Sequence, residues 1–278
     1  MGLAESVVIV TLNLCTIILF IRNRNLGKRS AYLMKNLAVI DMFVGLIAVY
    51  NLFYLPGMAC NLWNWHSTDV GISIFIDVLM NLFVFGSLIN IAIIALERVH
   101  ATYCPFKHRV LKKWVYRLII AVVWVTSGLV TIAFMLLEQF TKFYVFHTTF
   151  ISICLFIICV SYTSIVIKVR CGAQPQHHGA TSRERKLTTT LLIVTVVSLL
   201  LNLPYVIYVF LNSAIDSLSF LVFFHLHYAL LVLCYSNSLV NPILYALRMP
   251  EYRSALLAFF SKRPRQQRQV AVFPLRDM

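Results

Sequence analysis

Long apolar stretches, separated by short polar connections, follow one another along almost the whole chain. A helix needs about 20 mostly apolar residues to cross a bilayer core of roughly 30 Å. Seven stretches meet this length, at 3–21, 31–55, 71–95, 118–137, 146–169, 187–211 and 220–247. They lack the strict alternation of barrel strands, and backbone in lipid must satisfy its hydrogen bonds internally. The pattern predicts an all-α integral membrane protein, a bundle of seven transmembrane helices.

A shorter amphipathic pattern follows the seventh stretch. Within 251–260, Tyr252 and Phe259 recur on one face of a helix, while charged residues lie toward the lipid headgroups. We therefore expect a short amphipathic eighth helix on the membrane surface, with membrane lipid as its partner. This divides the chain into a seven-transmembrane domain, 1–249, and an amphipathic helix with a basic tail, 250–278.

The composition, 60% apolar and 12% charged, is that of a membrane protein rather than a soluble domain. A net charge of +14 would also suit nucleic acid, so the positions of the basic residues matter. They follow the first and third stretches, lie between the fifth and sixth, and fill the tail, whereas the other face has one, Lys142. By the positive-inside rule the basic face is cytoplasmic. We expect the N-terminus outside, the C-terminus in the cytoplasm and no nucleic-acid partner.

Several polar residues lie within the apolar stretches. A carboxylate at the centre of a spanning helix costs about 2.5–3.5 kcal/mol on insertion scales, so Asp41 should face a polar interior. The other polar residues at mid-span are Asn13, Ser87, Asn202, Asn237, Ser238 and Asn241. If they converge on Asp41, their oxygens suit a small cation such as sodium. The alternative is hydrogen bonding between helices without an ion.

Adjacent acids and arginines lie where two stretches meet the cytoplasm. Glu97 precedes Arg98 at the end of the third stretch, and Glu184 precedes Arg185 just before the sixth. A charge-assisted pair across the two helices would hold their inner ends together. The alternative is that these long side chains only reach for the membrane interface.

These positions, taken in order, resemble the signature of rhodopsin-like (class A) G-protein-coupled receptors over essentially the whole chain. The matching residues are Asn13; Asn36 to Asp41; Glu97, Arg98 and Val99, a variant of the Asp-Arg-Tyr motif; Trp124; Tyr162; Pro204; and Asn241, Pro242 and Tyr245 of an Asn-Pro-x-x-Tyr motif. The resemblance implies a receptor of the plasma membrane. It implies that a ligand bound outside rearranges helices five to seven and opens a cytoplasmic cleft for a heterotrimeric G protein.

The same resemblance gives roles to individual residues. It implies an activation switch made of Glu97, Arg98, Glu184, Tyr162, Tyr245, Pro204, Asn241 and Pro242, with both acids restraining Arg98 at rest. It implies a G-protein contact at Arg98, Pro105 and Phe106, although an aromatic residue there also suits a membrane interface. It implies an allosteric sodium ion held by Asp41, Ser87, Asn237, Ser238 and Asn241, and no other cofactor.

Four departures distinguish this chain within the family it resembles. Ser73 replaces the usual third-helix cysteine, so the outer disulfide of the family is not expected, and Cys154 replaces the fifth-helix proline. Ser198 replaces a core phenylalanine, and Asn202 replaces the sixth-helix tryptophan. The missing disulfide and proline, with a short second outer loop, resemble the melanocortin, cannabinoid and lysophospholipid branch. The run from Asn237 into the eighth helix resembles adenosine receptors.

The resemblance also implies a ligand pocket at the outer ends of the helices. Its residues are Asn51, Asp77, Met80, Asn81, Asn202, Tyr205, Leu231 and Tyr235, and core packing is the alternative for each apolar one. Met80 stands where monoamine receptors carry an amine-binding aspartate, and Tyr235 stands where opsins carry the retinal lysine, so neither ligand is expected. Asp77, about one turn outward of Met80, is the charged residue of the pocket; the alternative is an interfacial residue that is hydrogen-bonded to Asn81 or to water. We expect a peptide or small molecule with a cationic or hydrogen-bond-donating group.

Two other classes of membrane protein are alternatives to a receptor. A transporter or channel could use Asp41 and the asparagines as an ion path, but the sequence has no inverted repeat or paired broken segments. A membrane enzyme would need a catalytic constellation, and His66, His147, His225 and His227 lack metal-ligand spacing within one helix. We therefore do not expect an enzyme.

Overall fold

The structure is a computed structural model that describes most of the helical part of the chain. The described residues are 2–23, 31–51, 67–136, 140–171, 193, 196–198, 200–205, 207–208, 220–248 and 250–260. Glu184 and the basic tail beyond 260 lie outside them, as do many residues of the predicted sixth stretch. The expectations for those positions stay predictions.

The described chain is helical throughout. In chain order its helices are α1 (Gly2–Arg22), α2 (Ala31–Val49), α3 (Ser67–Tyr103), α4 (Pro105–Val110), α5 (Lys113–Met135), α6 (Phe140–Cys171), α7 (Phe220–Arg248) and α8 (Pro250–Phe260). Six of them, all except α4 and α8, are long and apolar enough to cross a membrane. A shorter apolar helix, Val196–Tyr205, lies within the predicted sixth stretch. No strand occurs among the described residues, and the all-α prediction is confirmed.

Some helices begin and end away from the predicted bounds. α3 covers Ser67–Tyr103 instead of 71–95, and α5 begins at Lys113 instead of 118. The reason is that hydropathy marks the part of a helix that lies in lipid. The backbone hydrogen bonds continue into polar turns wherever the side chains there find partners.

α3 lies at the centre of the bundle. It packs against α2, α5 and α6, while α1 packs against α2 and α7, and α8 lies against α1 and α7. The contact of α1 with α2 is close at Gly45, where a Cβ atom would lie 2.7 Å from Cγ2 of Ile9. Small residues at such crossings let membrane helices approach each other, because lipid provides no hydrophobic drive for their association.

The core has two main parts, one at each end of the bundle. At the end that carries α4 and α8, which we name the α8 end, the buried side chains include Phe20, Leu37, Tyr116, Tyr245 and Tyr252. Toward the opposite end they include Ile9, Val44, Met80, Phe83 and Tyr235. Two hydrogen bonds join three helices between these clusters. Trp124 of α5 donates to Asn36 of α2, and Asn36 donates to Asn90 of α3, each over a distance of 3.1 Å.

The outer surface of the bundle is apolar. On α5, Leu118, Val125 and Leu129 are 54%, 61% and 61% exposed at helical spacing. A row of large apolar side chains facing outward requires an apolar solvent, because water would disfavour such a patch. Together with the lengths of the helices, this outward face identifies a multi-pass membrane protein.

Candidate functional site

The carboxylate of Asp41 lies at the centre of a buried polar cluster formed by α2, α3 and α7. Its Oδ1 accepts hydrogen bonds from Ser87 at 2.9 Å and Ser238 at 3.0 Å, and its Oδ2 accepts one from Asn241 at 2.7 Å. All four residues are less than 5% exposed. The carboxylate is thus stabilised by three donors, as a charge in a bilayer requires. α1 joins the cluster, since Asn13 donates to the main-chain oxygen of Ser238 at 3.0 Å.

Some buried acceptor atoms near this cluster lack a hydrogen-bond donor in the described part of the chain. The Oδ1 atoms of Asn13, Asn237 and Asn241 have no hydrogen-bond partner among the described residues. Unpaired buried acceptors are costly unless water or an ion meets them. A carboxylate with serine and asparagine oxygens is a donor set for a hard monovalent cation, so the residues present fit the predicted sodium ion. Four of the five predicted ligand residues, Asp41, Ser87, Ser238 and Asn241, therefore form one hydrogen-bonded cluster, and Asn237 lines the same cavity as Ser87 and Ser238. The occupancy of the cluster stays a prediction.

A cavity of about 410 Å³ opens beside this cluster, toward the end of the bundle opposite α8. All eight residues predicted for the ligand pocket line it: Asn51, Asp77, Met80, Asn81, Asn202, Tyr205, Leu231 and Tyr235. Its volume is typical of sites for small ligands. The lining also includes Ser87, Asn237 and Ser238, so the cavity extends to the hydrogen-bond donors of Asp41.

The polar groups of the cavity have definite partners. Asn51 of α2 donates to the hydroxyl of Tyr235 of α7 at 3.1 Å and so links the two helices across the wall. Asn81 donates to the main-chain oxygen of Asp77 at 2.7 Å, not to its carboxylate. Asp77 itself is exposed rather than enclosed. The carboxylate is therefore at the rim of the cavity, available to a ligand and partly solvated.

An aromatic group on one side of the cavity was not predicted from the sequence. The ring of His227 lies 5.9 Å from that of Tyr205, 6.2 Å from that of Tyr208 and 5.9 Å from that of Tyr228, between ring centroids. His227 and Tyr228 line the cavity. The spacing on α7 could have indicated His227, because it precedes Leu231 by one helical turn, as Leu231 precedes Tyr235.

The charged pair predicted for the switch lies at the α8 end. Arg98 donates to the carboxylate of Glu97, and the two side chains are 5% and 7% exposed. Tyr162 and Tyr245 are buried in the same core. The hydroxyl of Tyr245 has no hydrogen-bond partner within the described part of the chain. Glu184, the predicted second restraint on Arg98, is outside that part.

Glu97 has two further partners that the sequence did not indicate. Its Oε1 accepts from the ring of His108 of α4, with 2.7 Å between Nε2 and Oε1, and from the hydroxyl of Tyr116 of α5 at 3.2 Å. Nothing in the spacing of these residues predicts the contact, since it depends on how α4 folds back. α4 begins at Pro105 and presents Phe106, which is 82% exposed. Of the predicted G-protein contact, Pro105 and Phe106 are thus exposed, whereas Arg98 is buried.

α8 is attached to the bundle by a buried tyrosine. Thr16 donates to the main-chain oxygen of Leu12 at 2.7 Å, so Tyr252, whose hydroxyl lies 2.7 Å from Thr16 Oγ1, is the donor in that contact. The ring of Tyr252 packs against Phe20 and Tyr245 at 5.9 and 6.1 Å. Burial raises the pKa of Tyr252, which keeps the hydroxyl protonated. Tyr252, on the predicted apolar face of α8, therefore packs into the bundle, where its hydroxyl finds a partner.

Comparison with known proteins agrees with this architecture. Residues 12–144 and 137–245 match the family described as 7 transmembrane receptor (rhodopsin family). The chain belongs to this family, and its fold is the seven-helix bundle of these membrane receptors. The prediction of a class A G-protein-coupled receptor, a signalling receptor and not an enzyme, is confirmed. The branch within the family stays a prediction.

Two relatives are similar to part of the chain. The histamine H4 receptor of Rattus norvegicus is 30% identical over 120 residues, and that of Mus musculus is 31% identical over 120 residues. Each alignment covers 42% of this chain but 29% of the relative's own length. The similarity supports membership of the family and leaves the ligand open.

Proposed function

We propose that the chain senses an extracellular ligand in the cavity and activates a heterotrimeric G protein at the α8 end. The observation that carries this proposal is the continuity of polar contacts from the cavity into α7. Ser87 and Ser238 line the cavity and donate to Asp41, whose other oxygen accepts from Asn241. Pro242, which is buried within α7, follows directly. A ligand that prefers one arrangement of the cavity wall would therefore also shift this part of α7.

The second element of the proposal is the orientation of the chain in the plasma membrane. The described basic side chains of the α4 region, Lys107, Arg109 and Lys112, lie at the α8 end. The positive-inside rule puts that end in the cytoplasm and the N-terminus outside. Epitope tags at both termini, probed on intact and then permeabilised cells, test this. The N-terminal tag should be accessible without permeabilisation and the C-terminal tag only after it. The reverse pattern would contradict the orientation.

The surface of α4 supports a G-protein contact. Phe106 and Val110 are 82% and 75% exposed, beside the basic Lys107 and Arg109. Aromatic side chains are enriched at protein interfaces. Arg98 lies in the adjacent core of α3, so a partner that docks on α4 would be close to the proposed switch.

The cavity favours a ligand other than a monoamine. The histamine H4 receptors are named for an amine, but here the apolar and buried Met80 occupies the place where monoamine receptors carry an aspartate. The ionisable carboxylate of the lining is Asp77 at the rim. We infer a peptide or small molecule whose cationic or hydrogen-bond-donating group binds Asp77 while its apolar part enters between Met80 and Leu231.

The cluster around Asp41 would hold a sodium ion as an allosteric ligand. Asp41, Ser87, Asn237, Ser238 and Asn241 would supply the oxygens, with the unpaired amide oxygens reported above as the supporting observation. An ion there would neutralise the buried carboxylate and hold α2, α3 and α7 in one arrangement. Loss of the ion would then favour a different packing of α7.

Signalling in cells provides the test of the proposed function. The chain would be expressed in cells that lack endogenous Gα subunits, with one Gα restored at a time, and separation of Gα from its βγ partner would be followed by energy transfer. Peptides and small cations would be added as a ligand library. We expect at least one Gα to respond at normal surface expression. No response from any Gα, with or without the library, would contradict the proposal.

A further inference from the structure

Asn202 places an unused hydrogen-bond acceptor in the wall of the cavity. It belongs to the helix Val196–Tyr205, lines the cavity and is 7% exposed. Its Nδ2 donates to the main-chain oxygen of Ser198 at 2.7 Å. Because a main-chain oxygen can only accept, this contact fixes which end of the amide is the nitrogen. Oδ1 therefore points away from that turn of the helix, and no hydrogen bond among the described residues involves it.

The contact between this helix and α7 shows how deep Asn202 lies. The Sγ atom of Cys234 on α7 lies 4.0 Å from the main-chain oxygen of Leu201, to which the thiol donates. α7 runs toward the α8 end, and Cys234 follows His227, a lining residue farther out, by seven residues, which is about 10 Å along a helix. Asn202, next to Leu201, is thus in the inner half of the cavity.

Three hydrogen donors of the lining are used elsewhere and leave the Asn202 oxygen to a ligand. Ser87 and Ser238 donate to Asp41, and the thiol of Cys234 is directed at the main chain. A buried acceptor without a donor is costly, and a ligand that covers it with an apolar group also displaces any water that could meet it. A ligand that brings a donor to this place is therefore favoured over an analogue that lacks one.

We propose that Asn202 is a specificity-determining contact at the inner end of the cavity, where its amide oxygen accepts a hydrogen bond from an N–H or O–H group of the ligand. The inference rests on the proposed function, which puts the ligand in this cavity, and it adds a second donor to the one that faces Asp77. On α3 the lining runs from Asp77 at the rim to Ser87, ten residues or about 15 Å. The ligand class is an elongated molecule or short peptide with a hydrogen-bond donor toward each end. A lipid whose buried end is a hydrocarbon chain would leave the Asn202 oxygen unpaired.

Two probes that differ in one donor test the contact. Indole has a ring N–H, whereas N-methylindole has the same ring and no donor. Their binding to the full chain in lipid nanodiscs would be measured by saturation-transfer NMR, with the signal of empty nanodiscs subtracted. The parent should bind indole about tenfold more tightly than N-methylindole, because only indole pairs the buried oxygen. In Asn202→Leu, which keeps a side chain of similar size but has no acceptor, the two affinities should be equal.

Ser161→Ala is the matched control for this comparison. Ser161 of α6 makes the same kind of bond, to the main-chain oxygen four residues earlier, and does not line the cavity. This variant should keep the preference of the parent for indole. If Asn202→Leu does not yield folded protein, Asn202→Ala should lose the preference in the same way.

The possible outcomes separate this contact from signalling. No saturable binding of either probe, equal affinities of the two probes for the parent, or an unchanged preference after the Asn202 substitution would overturn the inference. The measurement contains no G protein. A preference for indole that depends on Asn202, without a response from any Gα in cells, would contradict the proposed signalling and leave the contact standing.

Discussion

Replacing Asp41 by asparagine is expected to abolish the sodium dependence of receptor stability. The substitution keeps the shape of the side chain but removes its charge and turns one acceptor oxygen into a donor. In the parent, Oδ2 accepts from Asn241 at 2.7 Å and Oδ1 accepts from Ser87 and Ser238. The new amide would direct its nitrogen to the serines, because hydroxyl groups can accept as well as donate.

The magnitude follows from these contacts. Since the serine hydroxyls can reverse, the loss of packing and hydrogen bonding should cost about 1 kcal/mol. Sodium at ten times its Kd adds about 1.4 kcal/mol to a receptor that binds it only when folded. For a chain of this size that is a rise of about 2–4 °C in the temperature of unfolding. Without the carboxylate the remaining neutral oxygens should not hold the ion.

The assay is thermal unfolding of purified receptor in sodium chloride and in choline chloride at equal ionic strength. The parent should unfold at a higher temperature in sodium, and Asp41→Asn at the same temperature in both salts. Ser127→Ala is the control, because Ser127 is a buried polar residue of α5 that donates to the main-chain oxygen of Val123, outside the cluster. It should keep the sodium response.

Two results would refute this reasoning. An equal sodium shift in parent and Asp41→Asn would mean that the ion binds elsewhere. Absence of a sodium shift in the parent itself would mean that the polar cluster only ties the helices together, which is the alternative considered from the sequence.

Three further predictions concern the cavity, α4 and α8. Asp77→Asn should lower the affinity of a cationic agonist about five- to thirtyfold in competition binding, because a contact at the solvated rim is worth about 1–2 kcal/mol; a change below about threefold would count against the contact. Phe106→Ala should leave thermal stability unchanged, since the ring is 82% exposed, yet reduce stimulated nucleotide exchange about tenfold; normal exchange would remove Phe106 from the interface. Tyr252→Phe and Thr16→Val should each cost about 1 kcal/mol of stability, and the double variant no more than either, in a thermal-unfolding cycle; additive losses would contradict the contact.

The sequence was sufficient to predict a contact where one strong physical constraint acts on one residue. A carboxylate in a bilayer must have donors, and Ser87, Ser238 and Asn241 are indeed within hydrogen-bond distance of Asp41. The apolar lengths likewise predicted the helices, because lipid leaves the backbone few alternatives. The eight pocket residues could be predicted because the family resemblance indicates which positions of each helix face the pocket.

Sequence reasoning failed where the outcome depends on how a connection folds back. His108 reaches Glu97 only because α4 turns toward α3 after Tyr103, and no periodicity expresses that turn. Tyr252 lies on the predicted apolar face of α8, but its spacing does not show that its hydroxyl bonds Thr16 of α1.

The most direct test of the central claim is guanine-nucleotide exchange on purified heterotrimers by the receptor in nanodiscs, comparing the parent with Arg98→Ala. The claim is that this chain activates a G protein through the buried arginine of α3. The parent should accelerate exchange on at least one Gα above the rate with empty nanodiscs, and Arg98→Ala, at equal amounts of folded receptor, should not. Acceleration on no Gα by the parent, or equal acceleration by both proteins, would contradict it.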